Sequence, residues 1–343
     1  MLERPKLADE AIIAKLQSEF ELLAPTLEFL PIGNDARAWS FRVETAAGEY
    51  FLKLRRGAPK LASLIVPRHL RSCGVNNVVA PIPAISGRLH ARLEDFALML
   101  YPYIQGESEW AMALTAAQWR EWGAIMRTIH EAPLPAEIVQ DVPREVFAVK
   151  WLEKIERVEE ILRRGAYDGE VADAVGKIWR AKSDVIELAR SRYLSLGRRM
   201  EKKSPDFVLC HADIHTANII IDDAGALHIV DWDETLLAPK ERDLMFFIND
   251  GRSADTTDAF LAGYGHRSVD LLGLAYYKYD WVIQELGDYG ERVFLADGLG
   301  RVELALAQRE FARLFAADDV IDRAQRAYAN LLASESEADA IRG

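Results

Sequence analysis

Residues Val208–Glu234 read VLCHADIHTANIIIDDAGALHIVDWDE, and this stretch decides the fold. Three short apolar runs, Phe207–Cys210, Ile219–Ile221 and Leu227–Val230, have strand character. The turn Asp222-Asp223-Ala224-Gly225 joins the last two as a hairpin. A polar loop, His211 to Asn218, separates the first two. Asp231 directly follows an apolar strand, so the hairpin carries it back toward Asn218, with Asp213 on the loop beside them. Carboxylate and amide oxygens gathered in this way suit a hard cation such as Mg²⁺, with Asn218 and Asp231 as the natural ligands. Asp213 can accept the proton of an incoming hydroxyl. Asp, Asn and His are each common in turns. The ordered set, with apolar strands on both sides, points to chemistry.

Upstream, Asp9–Phe20 has a helical stripe of Ile12, Ile13, Leu16 and Phe20, with Asp9 as a possible cap. Thr26–Ile32, Ala38–Val43 and Tyr50–Leu54 read as strands. Lys60–Cys73 reads as a helix that Pro67 bends or begins, and two more strands follow at Arg88–Leu93 and Phe96–Tyr101. Beyond Pro102 the text turns helical at Trp110–His130, Glu145–Arg164 and Glu170–Arg199. It does so again after the hairpin, at Leu271–Leu286 and Glu303–Leu332. The expected fold class is α+β and bilobal. Residues 1–100 form a small antiparallel-sheet lobe with an N-terminal helix, 101–106 a linker, and 107–343 a larger helical lobe.

Half of the 343 residues are hydrophobic, enough for two packed cores, and 28% are charged, as in folded soluble domains. The 54 acidic and 42 basic side chains give a formal charge of -12, which disfavours nucleic-acid binding and favours a cationic partner. There are only two cysteines, Cys73 and Cys210, no long apolar run and no signal-peptide core. The expectation is therefore a cytoplasmic protein with no membrane partner, a monomer or weak homodimer.

The pattern His211-x-Asp213, Asn218 five positions on, and Asp231 at the end of a hairpin strand resembles the aminoglycoside phosphotransferase family. That family is itself similar to choline and homoserine kinases. VLCHADIHTANI with IVDWDETLLAPKERDLMF is more narrowly similar to spectinomycin phosphotransferases, and the likeness runs from FLKLRRG near Lys53 to AYYKYDWVIQELGDYG near Asp280. The resemblance implies a protein-kinase-like fold and an ATP- and Mg²⁺-dependent enzyme that phosphorylates a hydroxyl. The acceptor would be an aminocyclitol or aminoglycoside antibiotic, in a resistance role. It implies Asp213 as catalytic base, Asn218 and Asp231 as metal ligands, His211 bracing the loop and Asp243 anchoring it.

It further implies a lysine reaching the ATP phosphates from a small-lobe strand, and Lys53 in YFLKLRR fits. A phosphate loop would lie at Gly33 and Asn34, and an adenine slot near Met99, Leu100, Tyr101 and Tyr103. The acceptor candidates are Asp233, Glu234, Tyr276, Tyr279 and Asp280. Asp280 and Glu285 lie about 140° apart on a helix, so at most one faces a pocket. One feature departs from the kinase pattern. The lysine usually pairs with a helix glutamate, yet no Asp or Glu occurs from Leu61 to Leu93. Two other readings therefore stand beside the first: a metabolic kinase of choline-, homoserine- or sugar-like acceptors, and an inactive kinase-fold binding protein.

Overall fold

The structure is a computed structural model that describes residues 3–33, 35, 37–108, 113–147, 151–248, 251–265, 268–296 and 298–342. The strands are β1 (Thr26–Leu30), β2 (Ala38–Thr45), β3 (Gly48–Arg56), β4 (Ala91–Leu93), β5 (Phe96–Pro102), β6 (Gly106–Ser108), β7 (Val208–Cys210), β8 (Ile219–Asp222), β9 (Leu227–Ile229) and β10 (Leu236–Ala238). The helices are α1 (Asp9–Phe20), α2 (Ala62–Ser72), α3 (Ala116–His130), α4 (Ala136–Val139), α5 (Leu152–Arg164), α6 (Glu170–Ala181), α7 (Ser183–Lys203), α8 (Glu241–Leu244), α9 (Ala254–Tyr264), α10 (Leu271–Phe294), α11 (Arg301–Arg313) and α12 (Val320–Arg342). The chain divides into two compact units. One comprises Met1–Arg144, Leu209–Leu237 and Asp258–His266. The other comprises Glu145–Val208, Ala238–Thr257 and Arg267–Gly343.

The first unit is built on an antiparallel sheet of order β1-β2-β3-β5-β4. Strand alternation sorts its residues onto two faces. Trp39, Phe41, Leu52, Leu54, Leu98 and Leu100 bury one face against Ile12 and Leu16 of α1. Ser40, Lys53 and Met99 are paired across three strands on the opposite face. A second sheet, β6-β8-β9, carries the hairpin recognised in the sequence. Gly106 of β6 lies so close to β8 that a Cβ there would meet the Ile221 carbonyl oxygen at 2.1 Å. Beside β9, the Val79 amide donates to the Ile229 oxygen at 2.9 Å, and the Ile229 amide donates to the Asn77 oxygen at 2.7 Å. The hairpin is therefore pinned from both sides. Helices α3 and α9 also approach closely, since a Cβ on Gly263 would lie 1.8 Å from the Arg120 oxygen.

The second unit is helical. Helix α10 packs against α5, α7, α11 and α12, and Leu272–Asp280 is buried without interruption. Tyr276 stacks on Tyr193 of α7, and Trp179 of α6 stacks on Phe311 of α11.

Two helical expectations need correction, and the alternatives for Pro67 narrow to one. Glu170–Arg199 is two helices that break at Lys182 (φ −110°, ψ 13°), where Ser183 and Asp184 favour a new helix start. Glu303–Leu332 breaks at Asp318, in the left-handed region at φ 59°. There the Asp319 carboxylate accepts from the Val320 amide at 2.7 Å and opens α12. Pro67 lies inside α2, whose first residue is Ala62. Trp110 and the start expected for its helix lie outside the described residues; α3 begins at Ala116 behind a Thr115–Gln118 capping box. Among the described residues, no helix is long and apolar enough to cross a membrane.

Candidate active site

The loop after β7 is organised around His211, which is fully buried. Its Nδ1 accepts the Asp213 amide at 3.3 Å, so its Nε2 carries the hydrogen and donates to the Val230 oxygen at 2.9 Å. The ring packs on Trp232 at 4.7 Å. One imidazole thereby ties the loop bearing Asp213 to the strand end that precedes Asp231.

Asn218 closes the loop from the other side. Its Nδ2 donates to the Asp213 backbone oxygen at 2.7 Å and to Asp213 Oδ2 at 3.2 Å. With its NH₂ engaged, the amide has its carbonyl oxygen to offer elsewhere. The Asn218 backbone oxygen accepts the Val230 amide at 3.0 Å, which sets Asp231 beside the same loop. His215, which the sequence reading passed over, lies 3.4 Å from the Asn218 amide nitrogen and 3.5 Å from Asp213 Oδ2. The backbone is strained at both ends of this arrangement: Ala212 has φ 69° and Asp231 φ 60°. The left-handed region costs a residue other than glycine about 1–2 kcal/mol, and such strain concentrates at functional sites.

Lys53 reaches this group from β3. Its Nζ donates to Asp231 Oδ1 at 2.9 Å and to Asp233 Oδ2 at 3.0 Å. Burial alone would lower the ammonium pKa, but Asp231 and Asp233 outweigh it and hold the group above its ordinary value. For Asp231, burial acts to raise the pKa and Lys53 to lower it. The charge and the hydrogen bond of Lys53 act together against burial, and the net effect holds the carboxyl below its usual range. No carboxylate on α2 is available to Lys53, and it pairs with two carboxylates that follow β9.

Arg55, two residues along β3 and on the same face as Lys53, bonds Asp35 and lies 3.5 Å from Asp233. The period-2 pattern of the strand was the signal that could have identified it. Glu234 pairs with Lys60.

The remaining candidates are distributed as follows. Gly33 takes φ 88° in the turn after β1, while Asn34 lies outside the described residues. Met99 and Tyr101 share the Lys53 face of the sheet, and burial raises the Tyr101 hydroxyl pKa. The Leu100 side chain points into the opposite core, and its carbonyl accepts the Ile82 amide at 2.7 Å. Tyr103 packs under Arg42.

Asp243, Tyr276, Tyr279 and Asp280 belong to the second unit. Asp243 is fully buried in α8, and Asp280 faces Arg242 at 3.5 Å. The Tyr279 hydroxyl bonds Arg192 Nη1 at 2.6 Å, and its ring meets Tyr328 edge-on. The Tyr276 ring lies between Tyr193 and Phe147. Glu285 accepts from Trp281 on its own helix.

A carboxylate held near an amide, a second carboxylate beside them and a lysine joined to it form a set able to bind a phosphorylated ligand with a hard cation. The Asp231 carboxylate and the Asn218 carbonyl oxygen are the hard donors that such a cation takes. A sequence profile of the phosphotransferase enzyme family (APH) matches residues 26–282, well over half of the chain. The chain belongs to this family. Its fold is the bilobal α+β kinase-like fold of these ATP-dependent phosphotransferases, with a small antiparallel-sheet lobe and a larger helical lobe.

This phosphotransferase-family chain is similar to protein StrN of Streptomyces griseus, 27% identical over 251 residues that cover 69% of this chain and 73% of StrN. Spectinomycin phosphotransferase APH(9)-Ia, solved with ADP and spectinomycin, superposes with a TM-score of 0.84 at 26% identity, covering 94% of this chain and 99% of that one. The choline kinase LicA from Streptococcus pneumoniae matches with a TM-score of 0.53 at 18% identity, covering 95% of this chain and 99% of that one, and shares the fold alone.

Proposed function

We propose that this protein transfers the γ-phosphoryl group of ATP to a hydroxyl of an aminocyclitol or aminoglycoside, spectinomycin-like in character, in the cytoplasm and in a resistance role. The observation that carries the reading is the pair Asp213–Asn218 and the pair Asp231–Lys53, tied through the Val230 amide on the Asn218 backbone oxygen. It is supported by the similarity to APH(9)-Ia, which extends over nearly all of that chain.

In this reading Asp213 accepts the proton of the acceptor hydroxyl as its oxygen bonds to the γ-phosphorus and the bond to the ADP oxygen breaks. Asn218 fixes the Asp213 carboxylate, and His211 fixes the loop. Lys53 places its positive charge against the phosphate oxygens. Mg²⁺, held by Asn218 and Asp231, would supply further neutralisation of phosphoryl charge.

Gly33 offers its backbone amide to phosphate. Met99 and Tyr101 wall the adenine, with backbone near Leu100 and Tyr103 reading its edge. Residues 1–100 serve as the nucleotide lobe, 101–106 as the hinge and 107–343 as the helical lobe. Carboxylates, Glu234 among them, meet the ammonium groups of the acceptor.

The test is a phosphotransfer assay with Mg²⁺-ATP over spectinomycin, streptomycin, kanamycin, choline and homoserine. Spectinomycin or another aminocyclitol should be turned over with kcat/KM above about 10⁴ M⁻¹s⁻¹. Preferential turnover of choline or homoserine would overturn the acceptor assignment.

A further inference from the structure

We propose that Asp233 is the positioning residue that holds Lys53, in the place a helix glutamate occupies in kinase-like folds. The inference rests on the phosphotransferase reading above and deepens it.

The need for such a residue is set by the sequence, which has no carboxylate between Leu61 and Leu93 and therefore none on α2. Lys53 has Ser40 and Met99 as cross-strand neighbours, and neither can neutralise an ammonium. Only 14% of its side chain is exposed. Such a cation needs a fixed anion, and Asp231 and Asp233 provide two.

These two carboxylates are not equivalent. Asp231 sits at the cation site, so a bound metal competes with Lys53 for its oxygens. Asp233 has no such claim on it. Its other cationic neighbour is Arg55 at 3.5 Å, whose shorter bond goes to Asp35.

The backbone that carries Asp233 is also built to hold a carboxylate still. Trp232 is buried against His211. Thr235 is buried and donates from Oγ1 to the Cys210 oxygen at 2.8 Å. The Thr235 amide donates to the Trp232 oxygen at 3.2 Å, closing a turn over Asp233 and Glu234. Glu234 in turn bonds Lys60, just before α2. One anchored turn thus grips β3 through Lys53 and the entry to α2 through Lys60. A charge-assisted bond of this kind orients a lysine more strongly than a neutral one.

The test combines crystal structures of the Mg²⁺-ADP complexes with rates of ATP turnover, with water as acceptor, for the wild-type, Asp233→Asn and Asp233→Glu proteins. In the wild-type complex, Lys53 Nζ should remain within hydrogen-bond distance of Asp233. The Asn variant, which preserves shape, should lose roughly tenfold in kcat, the scale of one charge-assisted hydrogen bond. The Glu variant should recover part of that loss. Lys53 moved off Asp233 in the wild-type complex, or an Asn variant with unchanged kcat, would overturn the inference. Wild-type protein that binds no Mg²⁺-ADP would overturn the phosphotransferase reading itself, and this inference with it.

Discussion

Replacing Asp213 by asparagine should lower the turnover of acceptor by about 10²–10⁴-fold, the range associated with a general base, while the affinity for ADP stays essentially unchanged. The structure gives the reason for this separation. Asp213 Oδ2 is oriented by the Asn218 amide, and 38% of the side chain is exposed, so the carboxylate is both fixed and reachable. Neither Lys53 nor Asp231 depends on it for a hydrogen bond. An asparagine keeps the volume and removes only the capacity to take a proton. Kinetics with the acceptor at saturation, set beside calorimetric titration with ADP, check the prediction. Retained kcat in the variant would take Asp213 out of the role of base.

Replacing Asp231 by alanine should weaken Mg²⁺-ADP binding on the order of a hundredfold, because the change removes a ligand outright, whereas changes behind a ligand already cost 10–100-fold. It should weaken metal-free ADP binding far less. Lys53 keeps Asp233 as a partner, so the loss falls on the cation site rather than on the lysine. Alanine at φ 60° also meets left-handed strain that aspartate tolerates better.

The pH dependence of the unliganded protein follows with a definite sign. Lys53 holds the folded Asp231 carboxyl below its ordinary range, so the pair's stabilisation is present above about pH 4 and is lost as the pH falls through the folded value. On acidification below about pH 4, the wild-type melting temperature should fall more steeply than that of Asp231→Asn. Calorimetry and thermal melts across that range test both statements.

The part of the site that was legible in the sequence is the part made by neighbours in the chain. His211, Asp213 and Asn218 share one loop, and a short hairpin returns Asp231 to it, so spacing and strand alternation suffice. Lys53 was legible by face, because Leu52 and Leu54 claim the core and leave it on the other side. The pairing of Lys53 with Asp231 and Asp233 was not legible, since it depends on how the turn after β9 meets β3. Strand alternation puts Arg55 on the Lys53 face, but its pairing with Asp35 joins segments 20 residues apart, and His215 was passed over although its partners Asp213 and Asn218 share its loop.

The acceptor candidates on α10 were hard to sort for another reason. The stretch Leu272–Asp280 that carries them is buried on every side, so no exposed face marks a pocket there and periodicity says nothing about which side matters. The helix breaks at Lys182 and Asp318 were hidden because apolar spacing persists across them, and only the local Ser-Asp and Asp-Asp chemistry marks the turn.

The central claim is that Asn218 and Asp231 hold the metal of a nucleotide complex beside Asp213. Crystals grown with ADP and Mn²⁺ in place of Mg²⁺ test it directly through the anomalous signal of the ion. A peak is expected about 2.0–2.2 Å from both the Asn218 side-chain oxygen and an Asp231 oxygen. A peak that touches neither residue, or ADP bound away from Lys53, would contradict it.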